Sequence, residues 1–479
     1  MQGKNLSIQI GPLSHAKFVL NDGSLSLQKY TQSKPDIHHD IGYRHVLKAS
    51  FDDDTCALTV AYLTKKKKAL HLVVVEGKVD QSQAEHAAEW SESVMKTVYD
   101  AFGIKRSRRF MVFVNPYGGR KKAVTIFEKK VEPTLKAAGC SFKVHFTTHQ
   151  GQAQTMCQTL SLDFDAVITV SGDGLVHEIL NGFAQHEDPI TAFSIPVAPI
   201  PTGSGNGLCL NLLGREEGLD VLAATLNAIK GQPMKVDILA FTQGGKRTIS
   251  FMSQALGLMA DLDVGTDNLR WMGESRFLYG LLRGILTKKK SPIQLSYKLA
   301  ENDKYKMASD VANRHHTLTG EHILPSPLSA NTQYSFDDIS RERYEQDEEG
   351  WTIFPHPIIY LYAGKGPYVG RDFMAFPVSV PDDGLIDLTV MTDPTRGDLF
   401  ASMDGAHEGK TYWHPKVHYV KAHSYRVKPL QKDGHLSVDG EPFPFEEFEV
   451  EVYKNPATLL SCYGRYAAKF EPRAPPLSA

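Results

Sequence analysis

The feature that most constrains this chain is a rhythm stated three times between residues 109 and 206. An apolar run ends in a glycine-rich loop, and a helix-period stretch follows. Arg109–Val114 (RFMVFV) runs into Asn115-Pro116-Tyr117-Gly118-Gly119, Phe164–Val170 into Ser171-Gly172-Asp173-Gly174, and Phe193–Ile200 into Pro201-Thr202-Gly203-Ser204-Gly205-Asn206. Ser141–Phe146 reads as a further strand, followed by a Gln-rich helix from about residue 150. Val124, Phe127, Val131 and Leu135, and later Val176, Ile179, Leu180 and Phe183, recur at helical spacing. Repeated strand–loop–helix units predict a parallel, twisted sheet covered by helices. The loops then gather at the carboxyl edge, where open α/β sheets bind ligands. Glycine lets backbone N–H groups meet phosphate oxygens with no Cβ in the way, and each following helix adds its positive end. Asp173 stands between two glycines at such a tip. Like charges repel, so a carboxylate there is suited to a proton or a metal ion rather than to a phosphate.

The flanking regions differ in character. Residues 1–105 carry strand-like runs such as Leu58–Leu63 and Leu70–Val75, then a helical pattern from about Gln83 to Phe102 with Trp90, Val94 and Val98 on one face. Strands closed by one amphipathic helix resemble a pleckstrin-homology-like module; a generic β-rich accessory domain fits the same pattern. Residues 108–232 are expected to form the α/β catalytic domain. From residue 233 to 465 short apolar runs, among them Val236–Phe241, Ile358–Ala363, Ile386–Met391 and Phe448–Tyr453, predict an antiparallel β-sandwich domain. Two stretches interrupt it. Residues 274–287 (ESRFLYGLLRGILT) form an amphipathic helix pattern closed by Lys288-Lys289-Lys290, and residues 304–350 are polar enough to read as a mobile insertion.

Several function classes are disfavoured. The formal net charge of −2 argues against binding nucleic acid through bulk charge. The five cysteines are scattered with no CxxC pair, which fits a reducing compartment and offers no zinc site. MQGKNLSIQIGPL has no long apolar stretch, so no secretory leader is expected there, and no run approaches the ~18 apolar residues of a spanning helix. Membrane contact is therefore expected to be peripheral. The sequence has no GxxxxGK[ST] loop and no HRD…DFG set, and Gly203–Gly207 fits a dinucleotide fingerprint poorly.

Taken together, Asn115-Pro116…Gly118-Gly119, Ser171-Gly172-Asp173-Gly174-Leu175…His177-Glu178, Asn181-Gly182 and Gly203-Ser204-Gly205-Asn206 resemble the diacylglycerol-kinase-type lipid kinases. Ser171 with His177-Glu178 resembles the sphingosine (long-chain base) kinase branch. Asp383-Gly384-Leu385-Ile386-Asp387-Leu388 and Val438-Asp439-Gly440-Glu441 are similar to that family's β-domain motifs. The resemblance spans about residues 108 to 465. It implies that Asn115, Pro116, Gly118, Gly119, Thr147, Thr148, Gly151, Ser171, Gly172, Gly174, Glu178, Gly203, Ser204, Gly205 and Asn206 surround ATP. It also implies that Arg270 and Arg276 hold the phosphates, while Asp439, Gly440 and Glu441 reach the nucleotide from the other domain. Asp173 is implied as the base that takes the proton of the lipid hydroxyl. Ser253 and Asp263 are implied as head-group contacts; Phe277 and Leu281 recur at helical spacing, where they could line the lipid slot or pack an ordinary core face. An ammonium beside the lipid's hydroxyls would give Asp263 a partner that diacylglycerol lacks.

The resemblance implies ATP and Mg²⁺ as cofactors, with the metal's ligands unassigned, and a sphingoid base as acceptor. It also implies a cytoplasmic enzyme that touches membranes peripherally, possible as a homodimer, with no nucleic acid as partner. A ceramide or diacylglycerol kinase of the same fold is the alternative, followed by an NAD-kinase-like enzyme and a non-catalytic lipid sensor. One departure stands out: Lys121 occupies a position where the family usually has glycine.

Overall fold

The computed structural model describes residues 5–31, 34–119, 121–263, 291–318 and 350–474. The first seven strands are β1 (Asn5–Gly11), β2 (Ser14–Leu20), β3 (Ser24–Thr31), β4 (Lys34–Gly42), β5 (Val46–Asp52), β6 (Ala57–Lys66) and β7 (Ala69–Lys78). They form one antiparallel sheet in the order β4-β3-β2-β1-β7-β6-β5, whose two halves meet through the single pair Gln9↔Lys78. Helix α1 (Ala84–Val98) buries Trp90, Val94 and Val98, and Trp90 packs 5.7 Å from Phe18, centroid to centroid. This sheet leans on the rest of the molecule through Leu70, whose N–H donates to Asp220 Oδ2 at 2.7 Å.

The repeated loops sit on a parallel sheet. Strands β8 (Arg109–Val114), β9 (Ser141–Phe146), β10 (Ala166–Ser171) and β11 (Val197–Pro201) lie in the order β11-β10-β8-β9, every neighbour parallel. The last strand starts later than its apolar run, because Phe193 belongs to the short helix Pro189–Ser194. The apolar face of Phe127, Val131 and Leu135 is buried as its spacing demands. Its helix carries a π-helical stretch, Phe127–Val131, between helices α2 (Ala123–Ile126) and α3 (Glu132–Ala137). Three more helices open just beyond loops of this edge: α4 (Gln152–Cys157), α5 (Asp173–Ala184) and α7 (Gly207–Glu217), with α6 being Pro189–Ser194. Helix α8 (Val221–Lys230) closes the unit.

The chain then leaves by β12 (Gln232–Gln243), which pairs along most of its length with the final long strand, β24 (Phe448–Ser461). Residues 232–236 pair with 457–461 beside the parallel sheet, where Val197 also pairs with Leu459, and residues 238–243 pair with 448–453 in the antiparallel region. The ladder breaks at Asp237. Its Oδ2 accepts from Lys365 Nζ at 2.9 Å and its Oδ1 from the Asn455 N–H at 3.0 Å. Between these two long strands lie β13 (Lys246–Ser250), β14 (Ser253–Gly257), α9 (Leu258–Asp263), β15 (Ile293–Glu301), β16 (Thr352–Ile353), β17 (Ile358–Gly364), β18 (Tyr368–Gly370), β19 (Phe373–Met374), β20 (Ile386–Thr392), β21 (Val417–Pro429), β22 (Leu436–Val438) and β23 (Glu441–Phe443). The order β23-β22-β14-β17-β20-β21-β24 continues through β24 into the parallel strands.

One expectation needs correction. The polar stretch 304–350 was expected to be a mobile insertion throughout, yet Lys304–Leu318 is a helix, α10 after the nine already given. Met307, Ala308 and Val311 recur on one side of it and are buried in the core of the β domain. Three apolar residues suffice to dock it, and so few among many polar neighbours hide the period. The expected helix 274–287, with Phe277 and Leu281, and both Arg270 and Arg276 lie outside the described residues.

Candidate active site

The three glycine-rich loops meet as backbone on backbone. A Cβ on Gly203 would stand 2.3 Å from Gly172 Cα, and one on Gly172 would stand 2.5 Å from Gly205 O. Gly119 takes a φ of 55°, and a Cβ there would lie 2.6 Å from Thr202 O. The glycines are thus required by loop-to-loop approach within the edge itself. Asn115 shapes the first loop by accepting from the Tyr117 and Gly118 N–H groups at 3.0 and 3.1 Å. Asn206 pins the third, accepting from Gly203 N–H at 3.1 Å and donating to Gly203 O at 3.0 Å.

The loops enclose one side of a cleft of about 200 Å³. Asn115, Gly118, Gly119, Ser171, Gly172, Asp173, Gly174, Gly203, Ser204 and Gly205 come from the α/β unit; Ser253, Asp439, Gly440 and Glu441 face them from the β domain. Met252, Tyr362 and Val369 line it too. Sequence reading missed these three, because an apolar residue in or beside a strand carries no signal that distinguishes a cleft wall from a core.

Asp173 is buried, the first residue of α5. Its Oδ2 accepts from Gly207 N–H at 2.7 Å and its Oδ1 from Leu208 N–H at 3.2 Å, so it also caps the opening of α7. Burial pushes its pKa up to about 6 against those two backbone bonds, and the nearby charge of Asp439 pushes the same way. A carboxylate so held is ionised at neutral pH and close to the range where it can take a proton. Among the described residues no three carboxylate, imidazole or thiol groups converge as a metal-binding cluster.

Asp439 and Gly440 occupy the two-residue turn between β22 and β23, with φ of 51° and 84°, the type I′ geometry that Asp-Gly favours. Glu441, the next residue, accepts from Gln150 Nε2 at 2.9 Å, which brings the Thr147–Gly151 loop to the rim. The buried Thr147 bonds to the end of β8 through its N–H, Thr148 N–H donates to Gln152 Oε1, and Gly151 opens α4 at a φ of 83°. Glu178 is directed away from the cleft, accepting from Ala153 N–H at 3.1 Å at the start of α4. Pro116 follows Asn115 in the first loop, outside the cleft lining. Asp263 is the last residue of α9, ten residues beyond Ser253. Asp261, two residues earlier, bonds to His435 at 2.6 Å.

Lys121 resolves the departure in the first loop. Its φ is 56°, the left-handed conformation that glycine adopts without strain.

Comparison with known proteins agrees with this layout. Residues 109–241 match the diacylglycerol kinase catalytic domain, and residues 355–460 match the YegS C-terminal NAD kinase beta sandwich-like domain. A solved Bacillus anthracis structure assigned to the diacylglycerol kinases is alike in fold, with a TM-score of 0.50, 19% identity, and coverage of 74% of this chain and 97% of that one. Fold and matched domain define a lipid kinase of the diacylglycerol-kinase type. The sphingoid long chain base kinase 4 of Schizosaccharomyces pombe is 30% identical over 416 residues, covering 85% of this chain and 84% of its own. Human sphingosine kinase 1 is 26% identical over 372 residues, covering 75% and 92%. The chain belongs to the sphingosine (long-chain base) kinase family.

Proposed function

We propose that the protein transfers the γ-phosphoryl group of ATP to the primary hydroxyl of a sphingoid long-chain base, giving the 1-phosphate and ADP. The observation that supports this best is Asp173: a buried carboxylate, pushed up to about 6, oriented by two backbone N–H groups and facing the cleft among three glycine-rich loops. In this reading the lipid O–H bond breaks as its oxygen bonds to the γ-phosphorus. The proton passes to Asp173, and the bridging oxygen leaves with ADP. The glycine-rich loops offer backbone N–H groups to the phosphates, and phosphoryl transfer depends on such positioning more than on covalent chemistry. Arg270 and Arg276 enter on the family resemblance as bidentate phosphate partners. Mg²⁺ supplies charge neutralisation on the nucleotide. With no cluster of protein metal ligands among the described residues, the ion would keep water and phosphate oxygens as most of its ligands.

Asp263 and Ser253 are assigned to the head group, and the positive ammonium of a sphingoid base is the reason for a carboxylate there. The substrate is a lipid, so the enzyme meets it at a membrane surface; among the described residues no helix is long and apolar enough to cross a bilayer. The test is transfer of label from γ-labelled ATP to sphinganine, ceramide and diacylglycerol in mixed micelles, with Asp173→Asn in parallel. Labelling of sphinganine alone, lost in the variant, is the expected result. Labelling of ceramide or diacylglycerol would overturn the role of Asp263, and a fully active Asp173→Asn would overturn the role of Asp173.

A further inference from the structure

The carboxylate of Asp439 is fully used by the protein. Its Oδ1 accepts from Ser250 Oγ at 2.7 Å, Met252 N–H at 3.0 Å and Ser253 N–H at 2.9 Å. Its Oδ2 accepts from Phe251 N–H at 3.2 Å and pairs with His177 Nδ1 at 2.8 Å. A carboxylate offers about four lone-pair sites, so these five partners leave no room for a ligand. Asp439 lines the cleft, and its side chain is an organising centre for the strands around it.

Four of the five partners belong to residues 250–253, the crossing from β13 to β14. Met252 and Ser253 of that crossing form cleft wall facing the Asp173 loop. The fifth partner, His177, lies on α5, one turn beyond Asp173. The same helix is bonded twice to β13 through Asn181, which accepts from Ile249 N–H and donates to Ile249 O, each at 2.8 Å. The wall and the helix that carries Asp173 are therefore referenced to each other through the His177–Asp439 pair across the domain boundary. His177 is half-buried, and the groups facing it are Asp439, Glu441 and Glu178; Asp173 is faced by Asp439, the Gly207 and Leu208 N–H groups and the buried Cys209 thiol.

We infer that His177 is a positioning residue for phosphoryl transfer: through Asp439 it holds the 250–253 wall in register with Asp173 and, when protonated, offsets part of the negative charge that Asp439 presents to Asp173. This rests on the reading of Asp173 as the base. It adds a role for an imidazole that the sequence presents only as part of a motif.

Two substitutions separate position from charge. An Asn amide nitrogen stands where Nδ1 stands and can donate to Asp439 without charge; a Leu fills the space and donates nothing. Full-length wild type, His177→Leu, His177→Asn and Asp173→Asn are compared for kcat, for the KM of ATP and of sphinganine, and for the pH profile of kcat/KM. His177→Leu should lose on the order of 10- to 100-fold in kcat, the scale of a ~1 Å misplacement, with the KM of ATP within about twofold. His177→Asn should recover most of kcat at pH 8, while its acid limb stands at higher pH than in wild type because Asp439 is left uncompensated. Equal kcat in the Leu and Asn variants, or an acid limb in His177→Asn that coincides with wild type, would overturn the proposal. Should the Leu variant fail to fold, the pH profile of the Asn variant decides by itself. Label transfer by wild type that Asp173→Asn abolishes keeps the catalytic reading whatever the His177 variants do; no transfer by wild type removes both.

Discussion

At Asp173 two demands meet in one side chain. The carboxylate must cap α7 and must also stay close enough to neutrality to take a proton. Burial is what reconciles them: it offsets the two N–H bonds and leaves the group near 6. The expected consequence is a kcat/KM that falls tenfold per pH unit below about pH 6 and levels off above it, measured with sphinganine at saturating ATP. A flat profile down to pH 5 would remove Asp173 from the proton transfer. Lys121 makes a second prediction. Its left-handed backbone costs a non-glycine residue ~1–2 kcal/mol, and glycine loses ~0.5–1 kcal/mol of that gain to chain entropy. Lys121→Gly is therefore expected to stabilise the protein by about 0.5–1 kcal/mol in urea unfolding. A raised KM for ATP in the same variant would show that the lysine's charge is used. Asp173 and the glycines were legible because three glycine-rich loops each follow an apolar run, a repetition that ordinary turns do not produce. The orientation of Glu178 toward Ala153, and of Asn206 toward Gly203, was not legible. A side chain that satisfies backbone from within a motif looks, in sequence, the same as one that faces a ligand.

Among the elements, the parallel sheet follows from its apolar runs because both faces of such a sheet are covered, and buried strands leave continuous apolar sequence. The α10 helix stayed hidden for the opposite reason, since its contact is three residues wide. The fit of the loops is also an element-level fact, and it predicts a cost. Gly203→Ala places a methyl 2.3 Å from Gly172 Cα, where only backbone can move. The expected loss is about 1–3 kcal/mol, the range for overpacking, with a fall in activity larger than that of Gly151→Ala. The Gly151 site is strained by its φ of 83° but has nothing within 4 Å of the added Cβ. Comparable activity in the two variants would show that the loop contact at Gly203 does not shape the cleft.

On the scale of the whole molecule, the two catalytic domains share a buried charge cluster at the break in β12. Lys365, wholly buried, bonds to Asp237 and Asp383, and Lys421 bonds to Asp383 on its other oxygen. Burial alone would raise the Asp383 pKa, yet Lys365 and Lys421 hold it well below the usual carboxylate range. A depressed folded pKa contributes stability that is present above the ordinary carboxylate value and is lost as pH falls through the folded one. Lys365→Met leaves the buried Asp237 without its cation and Asp383 with Lys421 alone, and a loss of about 3–5 kcal/mol is expected at pH 7. The difference from wild type should shrink as pH falls below about 4 and the carboxylates protonate. A gap that stays constant with pH would assign the loss to packing. The Asp237 break has a mechanical consequence as well. The β12–β24 ribbon runs unbroken on either side of it, from the parallel strands to the antiparallel ones. Only around Asp237 does the sheet narrow to these two strands, since β24 pairs with β21 up to Glu451 and with β11 at Leu459, and so narrow a stretch yields more readily to torsion than to extension along its strands. The cleft should therefore open as a wrung cloth does, by rotation about the ribbon's long axis. In such a motion the glycine loops slide sideways past the Asp439 turn, and the gap between the domains need not widen.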